Sequence, residues 1–313
     1  MGAAAHARVS PAAARALCVL AALALAGCGL GPGTAPRGVQ LEITQGFGSQ
    51  SIRTIAAPSI GGADTAMRLL ERNATVTTRY GGGFVQSING LSGGQAHGDP
   101  IDWFYYVNGI EATIGAASTL LHQGDHVWWD RHDWGAAEFV PAVVGSFPEP
   151  FLDGNGGKRL PTRVECIDPA GQACSVVSRA LSGFGIPAAR GGIGLAESNE
   201  SLRVLVGPWS ALRSDQAAAR LGAGSQTSGV FARFSGATLQ LLDVHGHVAR
   251  SAGTGAGLVA ATRVGSQPPV WFVTGTDAAG VAAAAQAFDA GTLHDHFAVA
   301  AVSGADIPLP VAP

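Results

Sequence analysis

Residue types that could do chemistry gather in a few short stretches of this chain. The densest is GDHVWWDRHDW, where Asp125, Asp130 and Asp133 alternate with His126 and His132 around Trp128, Trp129 and Trp134. Two carboxyl groups among tryptophans suit glycoside hydrolysis, which needs the carboxyls to face each other across a cleft. At the end of one short strand the same residues read better as a rim, with indole edges packed down and aspartates in water. His122 stands just before this run, and His245-Gly246-His247 and His294-Asp295-His296 form two further His-x-His pairs. Such a pair chelates a metal when both rings leave one face of a strand. One pair follows LQLLD at a turn and the other lies in a helix-to-strand loop, so solvated loop residues are expected and no metal site.

Gly90-Leu91-Ser92-Gly93-Gly94 matches the G-x-S-x-G elbow of serine hydrolases. That elbow needs a buried strand before it and a helix after it; here a hairpin-type turn precedes and a glycine-rich loop follows. No nucleophile–base pair is apparent elsewhere, so no catalytic residue is assigned and the chain is not read as an enzyme. Gly253-x-Gly255-x-Gly257 lacks the strand–turn–helix setting and downstream acid of a dinucleotide fingerprint. Thr276 and Asp277, at the carboxyl end of a strand and the start of a helix, are better placed. Ligands of open α/β sheets bind there and helix N-termini favour anions, although Asp277 is equally a capping residue. Cys166 and Cys174 make only half a zinc site and are candidates for a disulfide in an oxidising compartment.

The elements that must position these residues fall into two textures. VQLEIT (39–44) alternates as a strand, and Asp64-Thr65 caps a helix with Ala66, Leu69 and Leu70 on one face. Short strands are expected at 76–80, 84–88, 103–107, 110–114 and 126–129, with Asn89-Gly90 and Asn108-Gly109 as hairpin turns. Both faces of DWFYYVNG are bulky: Trp103, Tyr105 and Val107 point one way, Phe104 and Tyr106 the other. Residues 135–162 carry Pro141, Pro148, Pro150 and Pro161 with several glycines and read as a linker. Beyond them strands and helices alternate: strands 163–167, 202–206, 230–234, 238–242, 270–274 and 297–302, helices 173–181, 210–221 and 277–288. This points to βαβ units and a mixed, partly parallel sheet.

The N-terminus carries Arg8 and Arg15 before an apolar run, 16–26, too short to span a bilayer. It reads as a signal peptide ending in Leu25-Ala26-Gly27-Cys28, which resembles a bacterial lipobox whose cysteine is lipidated. The expected organisation is a signal peptide (1–27), a tether (28–38), a first module (39–134), a Pro/Gly linker (135–162) and an α/β domain of no named family (163–313). The expected product is exported and held on the outer face of the cytoplasmic membrane, or on an outer membrane where the cell has one. Of the 313 residues, 47 % are hydrophobic and 13 % charged, with a net charge of −3 and no basic stripe. That supports sizeable cores and argues against a nucleic-acid partner.

GFVQSINGL, DWFYYVNGIEATIG and LHQGDHVWWDRHDW, in that order after a short helix, resemble the bacterial transcobalamin-like C-terminal domain family over roughly residues 39–134. The resemblance implies an α+β chain: a β-grasp-like N-terminal module, here followed by the α/β domain. It also implies a secreted, ligand- or surface-binding unit without catalytic residues. The function expected is a lipid-anchored cell-surface binding protein for a small molecule such as a corrinoid, acting with a transporter. No other cofactor is expected. The alternative is an envelope scaffold that meets another protein, and a hydrolase is a distant third. Aromatic walls with few polar groups suit a planar ligand, so the candidate contacts are Phe104, Tyr106, Asn108, Trp128 and Trp129, with Thr276 and Asp277 in the second domain.

Overall fold

Leu41 and Ile43 point to one face of the first strand, β1 (Gln40–Gln45), and Glu42 and Thr44 to the other; all four are buried. The structure is a computed structural model that describes residues 1–2, 34–96, 98–194 and 200–312, and its main compact unit begins at Ala35. Apart from Met1 and Gly2, the expected signal segment lies outside the described residues, as does Cys28. No described helix is long and apolar enough to cross a membrane.

After β1 the backbone turns through Gly46, Phe47 and Gly48, all at positive φ, into β2 (Gln50–Ile55). A helix spans Ala66–Asn73; the Thr65 side chain accepts from the Arg68 N–H at 3.3 Å, satisfying one of the open donors of its first turn. Its Ala66, Leu69 and Leu70 face is fully buried, as the periodicity predicts. β3 (Val76–Arg79), β4 (Phe84–Ile88) and β5 (Leu91–Ser92) form a small antiparallel sheet, turned between β4 and β5 at Asn89-Gly90. β6 (Gly94–Ala96) pairs with β7 (Asp99–Val107), and Asn108-Gly109, both at positive φ, leads into β8 (Ile110–Glu111), shorter than expected. β9 (His126–Asp133) then enters between β1 and β7. The sheet order is β2-β1-β9-β7-β6, with β1 and β9 parallel at its centre, and the helix packs on one face. This is a β-grasp-like arrangement.

The second sheet starts with β10 (Thr162–Cys166), the helix Gln172–Gly183, β11 (Ala188–Gly192) and β12 (Leu202–Pro208). The helix expected over 210–221 is two short ones, Trp209–Leu212 and Gln216–Gly222. Asp215 divides them, its carboxylate accepting from Ala217 N at 2.9 Å as a fresh cap. β13 (Ala232–Ser235), β14 (Thr238–Leu242) and β15 (Val248–Ala252) form a separate antiparallel sheet. β16 (Gly257–Thr262), β17 (Val270–Gly275), the helix Ala278–Gln286, β18 (Ala298–Val302) and β19 (Ala305–Leu309) complete the chain. The order is β11-β10-β12-β17-β16-β18-β19, parallel through the first four strands and antiparallel through the rest. The fold is therefore α+β, with a mixed, partly parallel second sheet.

The stretch 135–162, expected as a Pro/Gly linker, is in large part buried. Ala137, Val140, Val143, Val144, Phe147 and Phe151 are all inside. Val140 and Val143 join an apolar cluster with Tyr106 and Trp128 of the first sheet and with Phe231 and Phe297 of the second half of the chain. Ala142, Val144, Phe147 and Phe151 join the core on the other side of the second sheet. Up to Gly154 the prolines and glycines of this stretch bend the chain between two cores, and residues 155–159 return it to solvent.

Candidate functional site

The face of the first sheet opposite its helix carries two kinds of residue. Phe104 and Tyr106 on β7 and Trp128 on β9 are apolar; Glu42 and Thr44 on β1 and His126, Asp130 and His132 on β9 are polar. The aromatic part is filled by Phe297, which leads into β18 of the second sheet. Its ring lies 5.5 Å from Tyr106, 5.3 Å from Trp128 and 5.2 Å from Phe47, with edge-to-face geometry. Phe104, half-buried, stacks on His132 at 4.5 Å. Trp129 lies on the other face, stacked on Tyr105 at 4.8 Å within the module's own core. Asn108 is buried and tied to Asp125 Oδ1, Gly154 O and the His126 N–H. In the structure these five residues, expected as ligand contacts, take packing and turn roles, because a sheet apolar on both sides must be covered on both sides.

Thr276 and Asp277 also serve the backbone. Thr276 Oγ1 donates to Gly253 O, and Asp277 caps the helix Ala278–Gln286 through Gly280 N while accepting from Gly255 N. Together they close the 253–256 loop. Cys166 and Cys174 form a disulfide, with Cα atoms 6.0 Å apart, pinning the end of β10 to the first turn of the helix Gln172–Gly183.

Inside the sheet–sheet interface Asp130 is a fully satisfied carboxylate. It accepts from Phe47 N (3.0 Å), Gly48 N (2.9 Å), His132 Nδ1 (2.7 Å) and Thr44 Oγ1, and Thr44 Oγ1 in turn accepts from Trp128 Nε1 (2.7 Å). This network locks the β1–β2 turn so that Phe47 enters the interface. Gly48 is required there: a Cβ at that position would lie 1.7 Å from Asp295 O.

At the edge of the interface the polar row opens into a cleft of about 330 Å³, lined by Glu42, His126, Ser146, Glu149, Asp153 and His294 among others. His126 is held at both ring nitrogens: Nδ1 lies 3.0 Å from Ser146 Oγ and Nε2 lies 3.1 Å from Glu42 Oε2. Burial works to raise the Glu42 pKa, but hydrogen bonds from His126 and Asp295 outweigh it and hold the group below the usual carboxylate range. An ionised Glu42 only accepts, which places the ring hydrogen on Nε2 and leaves the Nδ1 lone pair for the Ser146 hydroxyl. Asp295 is pushed up by burial and by Glu42, and its contact with His294 at 2.9 Å raises the histidine. Glu149 is pushed up to about 8 by burial.

Sequence reasoning gives none of the three central residues a role. His126 stands out only within a histidine cluster, Glu42 only as part of an alternating strand, and Ser146 only within the proline-rich stretch. The two hydrogen-bonded pairs span 84 and 20 positions, so the strand alternation that puts Glu42 and His126 on one face is the available signal. Chemically the arrangement offers a hydroxyl, a base and a carboxylate in line. Two groups of described residues could also hold a cation, each with three ligand-type atoms within 4.8 Å of one another: Glu42, His294 and Asp295 at the cleft, and Asp99, Asp133 and His245 elsewhere.

Residues 63–133 match the family model described as "Domain of unknown function (DUF4430)". The match takes in the first helix and the strands β3 to β9, and leaves out the β1–β2 hairpin and everything beyond Asp133. No curated protein and no solved structure matches the chain.

Proposed function

We propose that this is an exported, lipid-anchored protein of the cell surface that binds a small molecule in the cleft at Glu42, His126 and Ser146, in association with a transporter. Leu25-Ala26-Gly27-Cys28 supports the anchor, and the Cys166–Cys174 disulfide supports an oxidising compartment. The matched domain is associated with transcobalamin-like domains, which supports a ligand-binding role for the module.

The observation that carries the reading is the cleft itself: a cavity of about 330 Å³ walled by ionisable groups, of which Glu42 is only 1 % exposed. Concave sites with a few convergent polar groups and perturbed ionisable residues are where small ligands bind. A corrinoid would enter through its polar amide arms, since the aromatic face that would stack on its flat ring is filled by Phe297.

Calorimetric titration of the mature protein with cobalamin and cobinamide tests this, with Glu42→Gln as the comparison. The expected result is a dissociation constant tighter than about 1 mM, weakened by the substitution. Affinity weaker than that retires the corrinoid. Failure of a panel of small amines and polyols to raise the melting temperature retires the cleft as a binding site.

A further inference from the structure

The Ser146–His126–Glu42 array has the connectivity of a hydrolytic relay. A hydroxyl sits at hydrogen-bond distance from a base, and a carboxylate orients that base from its far side, which is the geometry that recurs on unrelated folds in acyl transfer. We infer that Ser146 is a nucleophile, with His126 Nδ1 as its general base and Glu42 as the positioning residue, and that the cleft hydrolyses a small neutral or cationic ester.

Several features carry this beyond a chance hydrogen bond. All three residues line one cavity, the space in which the inferred substrate would sit. Glu42 is almost wholly buried, and its second oxygen is engaged by Thr54 Oγ1 at 3.3 Å, so the carboxylate is fixed behind the ring. Ser146 is only 4 % exposed and sits in a tight turn in which Phe147 N donates to Val144 O and Glu149 N to Ser146 O. Gly145 beside it is wedged against Trp128 and the His296 backbone, where a Cβ would come within 2.9 Å of three atoms. The nucleophile is therefore held by the interface and not by a mobile loop. Glu42, held ionised, and Asp153 on the wall disfavour a substrate that carries its own carboxylate, and Arg37 and His294 are the basic residues among those that line the cavity.

The step balances without a co-reactant other than water. Ser146 Oγ bonds to the ester carbonyl carbon as its proton passes to His126 Nδ1, and the carbonyl electron pair moves to oxygen. That pair returns as the C–O bond to the alcohol breaks, and the imidazolium proton goes to the departing alkoxide. Water then attacks the acyl-serine by the same route, releasing the acid and restoring the hydroxyl.

The test uses the full mature chain. Treatment with a fluorophosphonate is expected to add one phosphonyl group to the peptide that contains Ser146. Turnover of p-nitrophenyl acetate is expected to fall roughly 100-fold or more in Ser146→Ala. Glu42→Gln is expected to lower kcat more than it raises KM and to shift the pH profile, with partial recovery in Glu42→Asp. Labelling of the wild-type chain needs no variant, so it stands even where a substitution impairs folding. No adduct, an adduct on another residue, or turnover unchanged in Ser146→Ala overturns the assignment. Each of these leaves simple ligand binding in the cleft, as measured by titration, untouched.

Discussion

At the scale of single residues, the polar groups between the two sheets have separate tasks. Asp130 is the anchor. Its removal in Asp130→Ala would leave the donors on Thr44, Phe47, Gly48 and His132 buried without an acceptor. The expected cost is about 3–5 kcal/mol, measured by urea unfolding; a loss below about 1 kcal/mol would mean the network is slack. Glu149 is instead a source of pH dependence. Its pKa is 4.5 ordinarily and about 8 in the fold, so the folded state holds the proton more tightly. The stability this contributes is complete below about pH 4.5 and is lost as pH rises through 8, at up to about 1.4 kcal/mol per pH unit. Glu42, with a lowered pKa, has the opposite sign and loses its contribution as pH falls. Comparing wild type with Glu149→Gln between about pH 5 and 8.5 isolates the first effect. The wild-type melting temperature should fall relative to the variant as pH rises, and parallel curves would refute it.

At the scale of elements, strand alternation is the most legible signal. It places Trp103, Tyr105 and Val107 opposite Phe104 and Tyr106, and both Asn-Gly turns appear where the sequence predicts them. β16 escapes a reading by pattern because LVAAT follows a run of glycines and has no polar alternation, being buried along its whole length. Those glycines have a packing reason. Gly257 and Gly275 on β16 and β17 face Gly280 of the helix Ala278–Gln286, and a Cβ on Gly280 would lie 2.2 Å from Ala256 O. Gly280→Ala should therefore cost about 3 kcal/mol. Gly183→Ala, at a helical position with open space around it, should be neutral or stabilising by up to about 1 kcal/mol. Equal effects in thermal unfolding would show that the close helix–sheet approach is not what Gly280 provides.

At the scale of the whole molecule, the composition change near residue 135 marks a change of sheet but not an exposed connector. Short-range signals cannot tell a bent segment buried between two cores from a flexible one, since both need proline and glycine. The site is hidden in the sequence for a related reason: Glu42 and His126 come from neighbouring strands of the first sheet, and only the crossing segment brings Ser146 to them. A fragment ending at residue 134 would expose Phe47, Tyr106 and Trp128. It is expected to self-associate and to bind a hydrophobic dye, as sedimentation and fluorescence would register. A monomer with a native near-ultraviolet spectrum would count against a shared interior.

The docked sheets hold Glu42, His126 and Ser146 in one hydrogen-bonded line. Nitrogen-15 correlation spectra of the His126 ring test this most directly, because the two ends of the ring report their partners without any ligand. In its neutral form the ring should carry its hydrogen on Nε2, toward Glu42, with Nδ1 behaving as an acceptor, and Ser146→Ala should perturb Nδ1 alone. A ring protonated on Nδ1, or one that exchanges between tautomers and ignores both Glu42→Gln and Ser146→Ala, would contradict it.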